Sequence, residues 1–241
     1  MKIKYYKLSV LLITVAILIM FIVNIYLDQS PVYIKYLACN PIFSREPGYS
    51  ALHKAAYLGD NKKVLKLLKN GADINEVAAV SGTPLYLAVI QGNVNTVKLL
   101  LAKGARVNDD IRNDVCTPTL DCALKTRHLH IAELLLAQGT NINMKSKWHE
   151  PLLIRYTGSS DLNITKWLIE HDADVNISDK YGQTPLFYSI QNCNTVIAHN
   201  LIINGADIDI NDVNGRSPLY YAQRNNCSNI VKMIEDKAKK R

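Results

Sequence analysis

Eleven glycines and eight prolines in 241 residues are too few for a collagen-like or Pro/Gly-rich disordered chain. Five cysteines are too sparse for a small scaffold held together by disulfides. Signatures of chemistry are lacking as well: there is no G-x-S-x-G elbow, no G-x-x-x-x-G-K phosphate loop, no H-E-x-x-H and no C-x-x-C. His53, His128, His130, His149, His171 and His199 are dispersed, and the closest two stand two residues apart. Metal ligands sharing one helix face need a spacing of three or four. No metal site, no cofactor and no small-molecule substrate are therefore expected, and the chain does not read as an enzyme. A catalytic thiol is the remote alternative.

Excess charge is confined to the ends. Of the formal +7, Lys2, Lys4 and Lys7 supply three, and the tail from Lys232 to Arg241 supplies a net three more. About one charge is left for everything between, too little to neutralise a phosphate backbone, so nucleic-acid binding is not expected.

The 48% hydrophobic content is concentrated first at Leu8 to Leu27, LSVLLITVAILIMFIVNIYL, twenty residues without a charge. As a helix this run spans about 30 Å, the thickness of a bilayer core. It also lacks the polar stripe of a helix packed in a soluble core. A transmembrane helix over residues 8–27 is expected. The run is longer than the apolar stretch of a cleavable signal, and Asp28-Gln29-Ser30-Pro31 is a poor cleavage site. An uncleaved signal anchor is favoured over secretion after cleavage. With the basic tip 1–7 held in the cytoplasm, the rest of the chain faces away from it, into the periplasm if the source is bacterial. Residues 28–48, carrying Pro31, Pro41 and Pro47, read as a spacer.

The remainder is periodic. SALHKAA at 50, TPLYLAV at 83, PTLDCAL at 118, EPLLIRY at 150, TPLFYSI at 184 and SPLYYAQ at 217 place Leu52, Leu85, Leu120, Leu152, Leu186 and Leu219 in register. A second series, from KLLKNGADIN to NLIINGADIDI, follows the same period of close to 33 residues. Thr-Pro suits a helix start, with the hydroxyl as cap and proline in the first turn. Val94, Val97, Leu100 and Leu101 share one face of a second helix. Gly71, Gly104, Gly139 and Gly205 follow such helices as left-handed stops, and Asp172 stands in that place in the fourth unit. No unit can bury its apolar face alone, so the six must stack.

These residues resemble the ankyrin repeat family, most fully in Asn176-Ile177-Ser178-Asp179-Lys180-Tyr181-Gly182-Gln183-Thr184-Pro185-Leu186. The resemblance covers residues 49–238 and implies an all-α repeat solenoid of six helix-turn-helix units with β-hairpin fingers. The approximate units are 49–80, 81–114, 115–147, 148–180, 181–213 and 214–238. The first and last look like caps, with Ala51 in place of proline and a charged final helix, IVKMIEDKAKKR. Gly158-Ser159-Ser160-Asp161 reads as a lengthened inter-helix turn. His53 occupies the family's T-P-L-H position, where a hydrogen-bonding role is expected.

The resemblance also implies an unidentified protein partner, bound on a concave face of finger tips and first-helix ends. Position by position, that face maps to the tip residues Val80, Lys147, Trp148, Lys180, Tyr181, Gln183, Asn214 and Arg216. From the helix ends it takes Tyr57, Ile90, Gln91, Lys125 and Arg224. Exposed Trp, Tyr and Arg dominate binding energy at interfaces, which makes Trp148 and Tyr181 the strongest pair. A membrane-tethered scaffold and an immunity-type inhibitor of a toxic enzyme both fit this reading. Cys193 and Cys227 form the one candidate disulfide. They fall one residue out of register on adjacent turns, where a helix-packing distance of roughly 8–10 Å exceeds the reach of about 7 Å unless the turns lean together.

Overall fold

The computed structural model describes residues 49–78, 82–108, 118–145 and 150–240. These hold twelve helices in six antiparallel pairs. The first helices are α1 (Ala51–Leu58), α3 (Pro84–Ile90), α5 (Thr119–Lys125), α7 (Leu152–Gly158), α9 (Pro185–Gln191) and α11 (Pro218–Arg224). The second helices are α2 (Asn61–Lys69), α4 (Val94–Ala102), α6 (Leu129–Ala137), α8 (Leu162–Glu170), α10 (Thr195–Ile203) and α12 (Ser228–Ala238). The basic tip, the transmembrane helix and the spacer expected over 1–48 lie outside the described residues. No helix among the described residues is long and apolar enough to cross a membrane.

Three of the six first helices start on a side-chain cap, whereas α5, α7 and α9 start without one. Ser50, Thr83 and Ser217 accept hydrogen bonds from the backbone N–H groups of His53, Tyr86 and Tyr220, with Pro84 and Pro218 in the first turn. The registered leucines Leu52, Leu85, Leu120, Leu152 and Leu186 are all buried, and Leu219 of the sixth unit is half-buried. His53 is wholly buried. Its Nε2 donates to the carbonyls of Glu76 and Gly82 (3.0 and 3.1 Å), and its Nδ1 accepts from Ser50 Oγ (2.8 Å). The ring thereby ties α1 to the first finger in its neutral Nε2–H form, and burial holds its pKa below the ordinary value despite nearby Glu76.

Two expectations are corrected here. The fingers are not β-hairpins among the described residues: they show only isolated bridges, Ala78 with Gly82 and Lys145 with Pro151. Aspartate-centred turns organise them instead, because a side-chain carboxylate collects the N–H groups that a strand partner would otherwise take. Nor is the fourth inter-helix turn lengthened. Ser159–Asp161 separates α7 from α8 by three residues, as Asn192–Asn194 separates α9 from α10.

The turns form a ladder of their own. One residue in each is left-handed: Gly59, Gly92, Arg127, Ser160, Cys193 and Asn226. At several steps this residue faces the residue that opens the next unit's second helix. A Cβ on Gly59 would meet Asn93 at 3.1 Å, and one on Gly92 would meet His128 at 2.6 Å. Arg127 Nη2 pairs with Asp161 Oδ2 at 2.7 Å. At the fifth step Cys193 and Cys227 are disulfide-bonded, with Cα atoms 5.4 Å apart. The packing distance between helix axes overstated this separation, because the left-handed residue turns its side chain directly onto the next unit. The offset of one residue is what aligns the two sulfurs.

First helices pack on their neighbours along the stack, but α5 and α7 approach less closely than the others. The small residue of α1, α3, α5 and α11 (Ala55, Ala88, Ala123 and Ala222), Ser189 in α9, is replaced in α7 by Arg155. A side chain of that volume holds the two helices apart.

Candidate functional site

The last two fingers repeat one construction. Asp179 Oδ1 accepts from the backbone N–H of Tyr181 (2.8 Å) and Gln183 (2.9 Å), while its Oδ2 accepts from the Tyr188 hydroxyl at 2.9 Å. Thirty-three residues on, Asp212 Oδ1 accepts from Asn214 (2.9 Å) and Arg216 (3.0 Å), and its Oδ2 from Tyr221 at 2.7 Å. Each tip is thus braced to its own first helix by a charge-assisted hydrogen bond. Burial opposes ionisation of Asp212, but donation from Arg216 and Tyr221 prevails and holds its carboxyl below the ordinary range. Burial and Asp179 push the Tyr188 hydroxyl well above its usual pKa, so it stays a donor.

The two tips are also joined. The backbone N–H of Val213 donates to the Tyr181 carbonyl at 3.0 Å. Gly182 permits this approach: its φ is +72°, and a Cβ there would stand 3.3 Å from the Val213 nitrogen. From this rigid pair project Tyr181, 53% exposed, and Val213, 66% exposed. Lys180 Nζ lies 4.8 Å above the Tyr181 ring, and the Arg216 guanidinium lies 5.7 Å above the Tyr220 ring. Gln191 donates to Gln183 across the finger and helix at 3.0 Å.

Of the residues expected on the binding face, the structure brings together Lys180, Tyr181, Gln183, Asn214 and Arg216, with Arg224 exposed at the end of α11. Gln91 is exposed at the end of α3, far along the sequence from that group. Tyr57 is half-buried, and its carbonyl accepts from Asn93. Ile90 is a correction: it is 8% exposed, because α3 reads PLYLAVI, is apolar on every side and is buried throughout. Val80, Lys147 and Trp148 lie outside the described residues.

Two features escaped the sequence reading. Tyr220 is 44% exposed although it sits where Tyr86 and Phe187 are 1% exposed. It belongs to the sixth unit, and among the described residues no later helix pair packs over that position. The other is a buried ionic cluster between α5 and α7. Asp121, fully buried, is paired with the Arg155 guanidinium and with Lys125 Nζ at 3.0 Å, and its Oδ1 accepts from the Tyr156 hydroxyl at 2.8 Å. Arg155 Nε completes the set by donating to Glu150 at 3.0 Å. Burial disfavours the Arg155 charge, but Asp121 and Glu150 outweigh it and raise its pKa. Lys125 is therefore engaged in this cluster. The cluster's charges cancel internally, which suits a structural network better than a site for an ion. Among the described residues no group of three His, Cys, Asp or Glu side chains could hold a metal.

A stack of helix pairs bearing braced, projecting tips is the build of a repeat protein that meets other molecules through its surface. The ankyrin repeat family model (three copies) matches residues 52–146 and again 152–240, and the chain belongs to that family. Ankyrin repeats mediate protein–protein interaction. The B-cell lymphoma 3 protein homolog of Mus musculus is 35% identical over 109 residues, 44% of this chain and 24% of its own length. A TRP cation channel subfamily A member 1 of Drosophila melanogaster is 32% identical over 121 residues, 46% of this chain and 10% of its own. The chain thus spans no more than about a quarter of these relatives.

Among solved structures, the ankyrin repeat domain of Bcl-3 aligns with a TM-score of 0.67 and 22% identity, covering 79% of this chain and 87% of that one. A chain from the complex of the Bdellovibrio bacteriovorus predatory endopeptidase Bd0816 with immunity protein Bd3460 aligns with a TM-score of 0.61 and 24% identity. That match covers 79% of this chain and 99% of the other. Both likenesses establish the fold.

Proposed function

We propose that this protein is a membrane-tethered binding module that grips a partner protein with the concave finger and first-helix face of its last two repeats, without chemistry of its own. The observation that carries the reading is the doubled Asp179 and Asp212 brace, which presents Tyr181 and Arg216 on tips joined by a backbone hydrogen bond, with Tyr220 exposed on α11 beneath the Arg216 guanidinium. Rigid, exposed aromatic and arginine side chains lose little entropy on binding and supply most of the energy at interfaces. The tether is the uncharged run 8–27, with the amino terminus in the cytoplasm and the repeats on the other side. The Cys193–Cys227 disulfide supports that placement, since such bonds persist in oxidising compartments.

An immunity-type inhibitor is the second reading, favoured by the fold shared along almost the whole length of a chain from an endopeptidase–immunity protein complex. A photo-crosslinking residue placed at 181 or 220 of the full chain in its native membrane should trap one and the same protein. The same residue at 133, on a second helix, should trap none. Equal trapping at all three positions would remove the proposal. A trapped hydrolase that loses activity in the complex would select the inhibitor reading. A C-terminal reporter active only in the cytoplasm should stay silent, and activity there would reverse the orientation.

A further inference from the structure

The near-neutral total charge of the repeats conceals a segregation that the fold makes visible. Helix α2 carries Lys62, Lys63, Lys66 and Lys69, and the neighbouring α4 carries Lys98, with Lys103 at its C-cap. All six are exposed, neither helix contains an acidic residue, and none of the six is ion-paired among the described residues. Asp60, just before α2, is occupied in capping that helix through the Lys63 backbone N–H at 3.0 Å. Amid the lysines Leu65 is 36% exposed, and Leu58 just before the turn into α2 is 73% exposed. This face is formed by second helices and is separate from the fingers.

We infer that the lysine face of the first two repeats docks on an anionic phospholipid surface. Three observations favour a bilayer over a nucleic acid. The charges are all lysine, strongly hydrated point charges suited to a diffuse field, with no arginine to grip a phosphate in two-pronged fashion. The two helices contain no aromatic side chain on which a base could stack. The exposed leucines suit a headgroup boundary. The position in the chain agrees. Only residues 28–50 separate the uncharged run from the start of α1, so even fully extended they span no more than about 80 Å. That proximity rests on the tether proposed above; the lysine face itself does not. Docked in this way, the first repeats would lie on the bilayer and leave the fingers of the last two free for a partner.

The test is lysine footprinting by amine acetylation and mass spectrometry. The full chain is placed in nanodiscs of phosphatidylcholine alone or with phosphatidylglycerol mixed in. Each lysine near an anionic surface contributes about fivefold to binding, so labelling at Lys62, Lys63, Lys66 and Lys69 should slow by about fivefold or more in the anionic discs. High salt should restore it, and Lys145 and Lys180 on the fingers should be unaffected. Replacing Lys62, Lys63, Lys66 and Lys69 with glutamine should abolish the protection of Lys98 and Lys103 without changing the thermal midpoint, since all four are exposed. Equal labelling in the two discs overturns the inference, as does protection that appears only on adding RNA or DNA. Retention in neutral discs with equal labelling keeps the tether and removes the lysine face. Capture by anionic discs alone keeps the lysine face and removes the tether.

Discussion

Removing the Cys193–Cys227 bond should loosen the far end of the array and little else. The bond joins residues separated by 34 positions, and the chain-entropy relation for a loop of that size gives about 3.8 kcal/mol at 25 °C. Repeats are stabilised mainly by their neighbours, so the loss should fall on α10, the last finger and α11, which lie inside the loop, and on α12 beyond it. Part of the effect is recoverable. Cys193 adopts a left-handed φ of 45°, which costs a non-glycine residue about 1 kcal/mol. At the first step of the ladder, Gly59 takes that role against Asn93, whose Nδ2 donates to the carbonyls of Ala56 and Tyr57 at 3.1 and 2.8 Å. A Cys193→Gly, Cys227→Asn variant copies that pair and should regain about half of the loss, whereas Cys193→Ser with Cys227→Ser should regain little. Urea unfolding followed by far-UV circular dichroism, with and without reductant, gives the total, and hydrogen exchange locates it. An identical midpoint in the oxidised and reduced chains, or protection lost evenly from all six repeats, would refute this role for the bond.

Three further outcomes follow from named contacts. Arg155→Ala should destabilise by about 3 kcal/mol in chemical denaturation, because it leaves Asp121 fully buried with a weaker set of partners. Adding Asp121→His restores the residue types that repeat 1 has at these positions, His53 and Ala55, and should recover most of that loss. His53, buried and neutral with its pKa lowered, binds fewer protons folded than unfolded below the ordinary histidine value. Stability should therefore be full above about pH 6.5 and fall as the pH drops through the lowered value, and a His53→Gln variant should lack that slope in the urea midpoint. Asp179→Ala should release Tyr181, Gln183 and Tyr188 from one carboxylate, seen as faster hydrogen exchange at that tip with the helices unchanged.

What could be read from the chain alone was whatever is local and recurrent. The period, the helix starts at Thr83 and Ser217, the hydrogen-bonding role of His53 and the left-handed Asp172 depend on short-range backbone chemistry repeated six times. What escaped depends on how one unit meets the next. The disulfide reach was judged by the spacing of helices when the turn geometry governs it. Asp121 and Arg155 lie 34 residues apart, and only stacking turns two unusual residues into a compensated pair. Ile90 looked like a surface residue because its position is often exposed, but the composition of its own helix buried it. The lysine face was lost in a summed charge, since six lysines gather on and beside helices α2 and α4 while many of the compensating aspartates, such as Asp174, Asp179, Asp207 and Asp212, sit in later fingers.

Binding of a partner through the finger and first-helix face of the last two repeats can be measured on the full chain. The most direct measurement is the affinity of the full chain for the crosslinked partner, compared with that of the Tyr181→Ala, Arg216→Ala double variant. The expected loss is about 2 kcal/mol or more, roughly thirtyfold in Kd, with an unchanged thermal midpoint because both side chains are exposed. Unchanged affinity, or a loss that tracks a fall in stability, would contradict it.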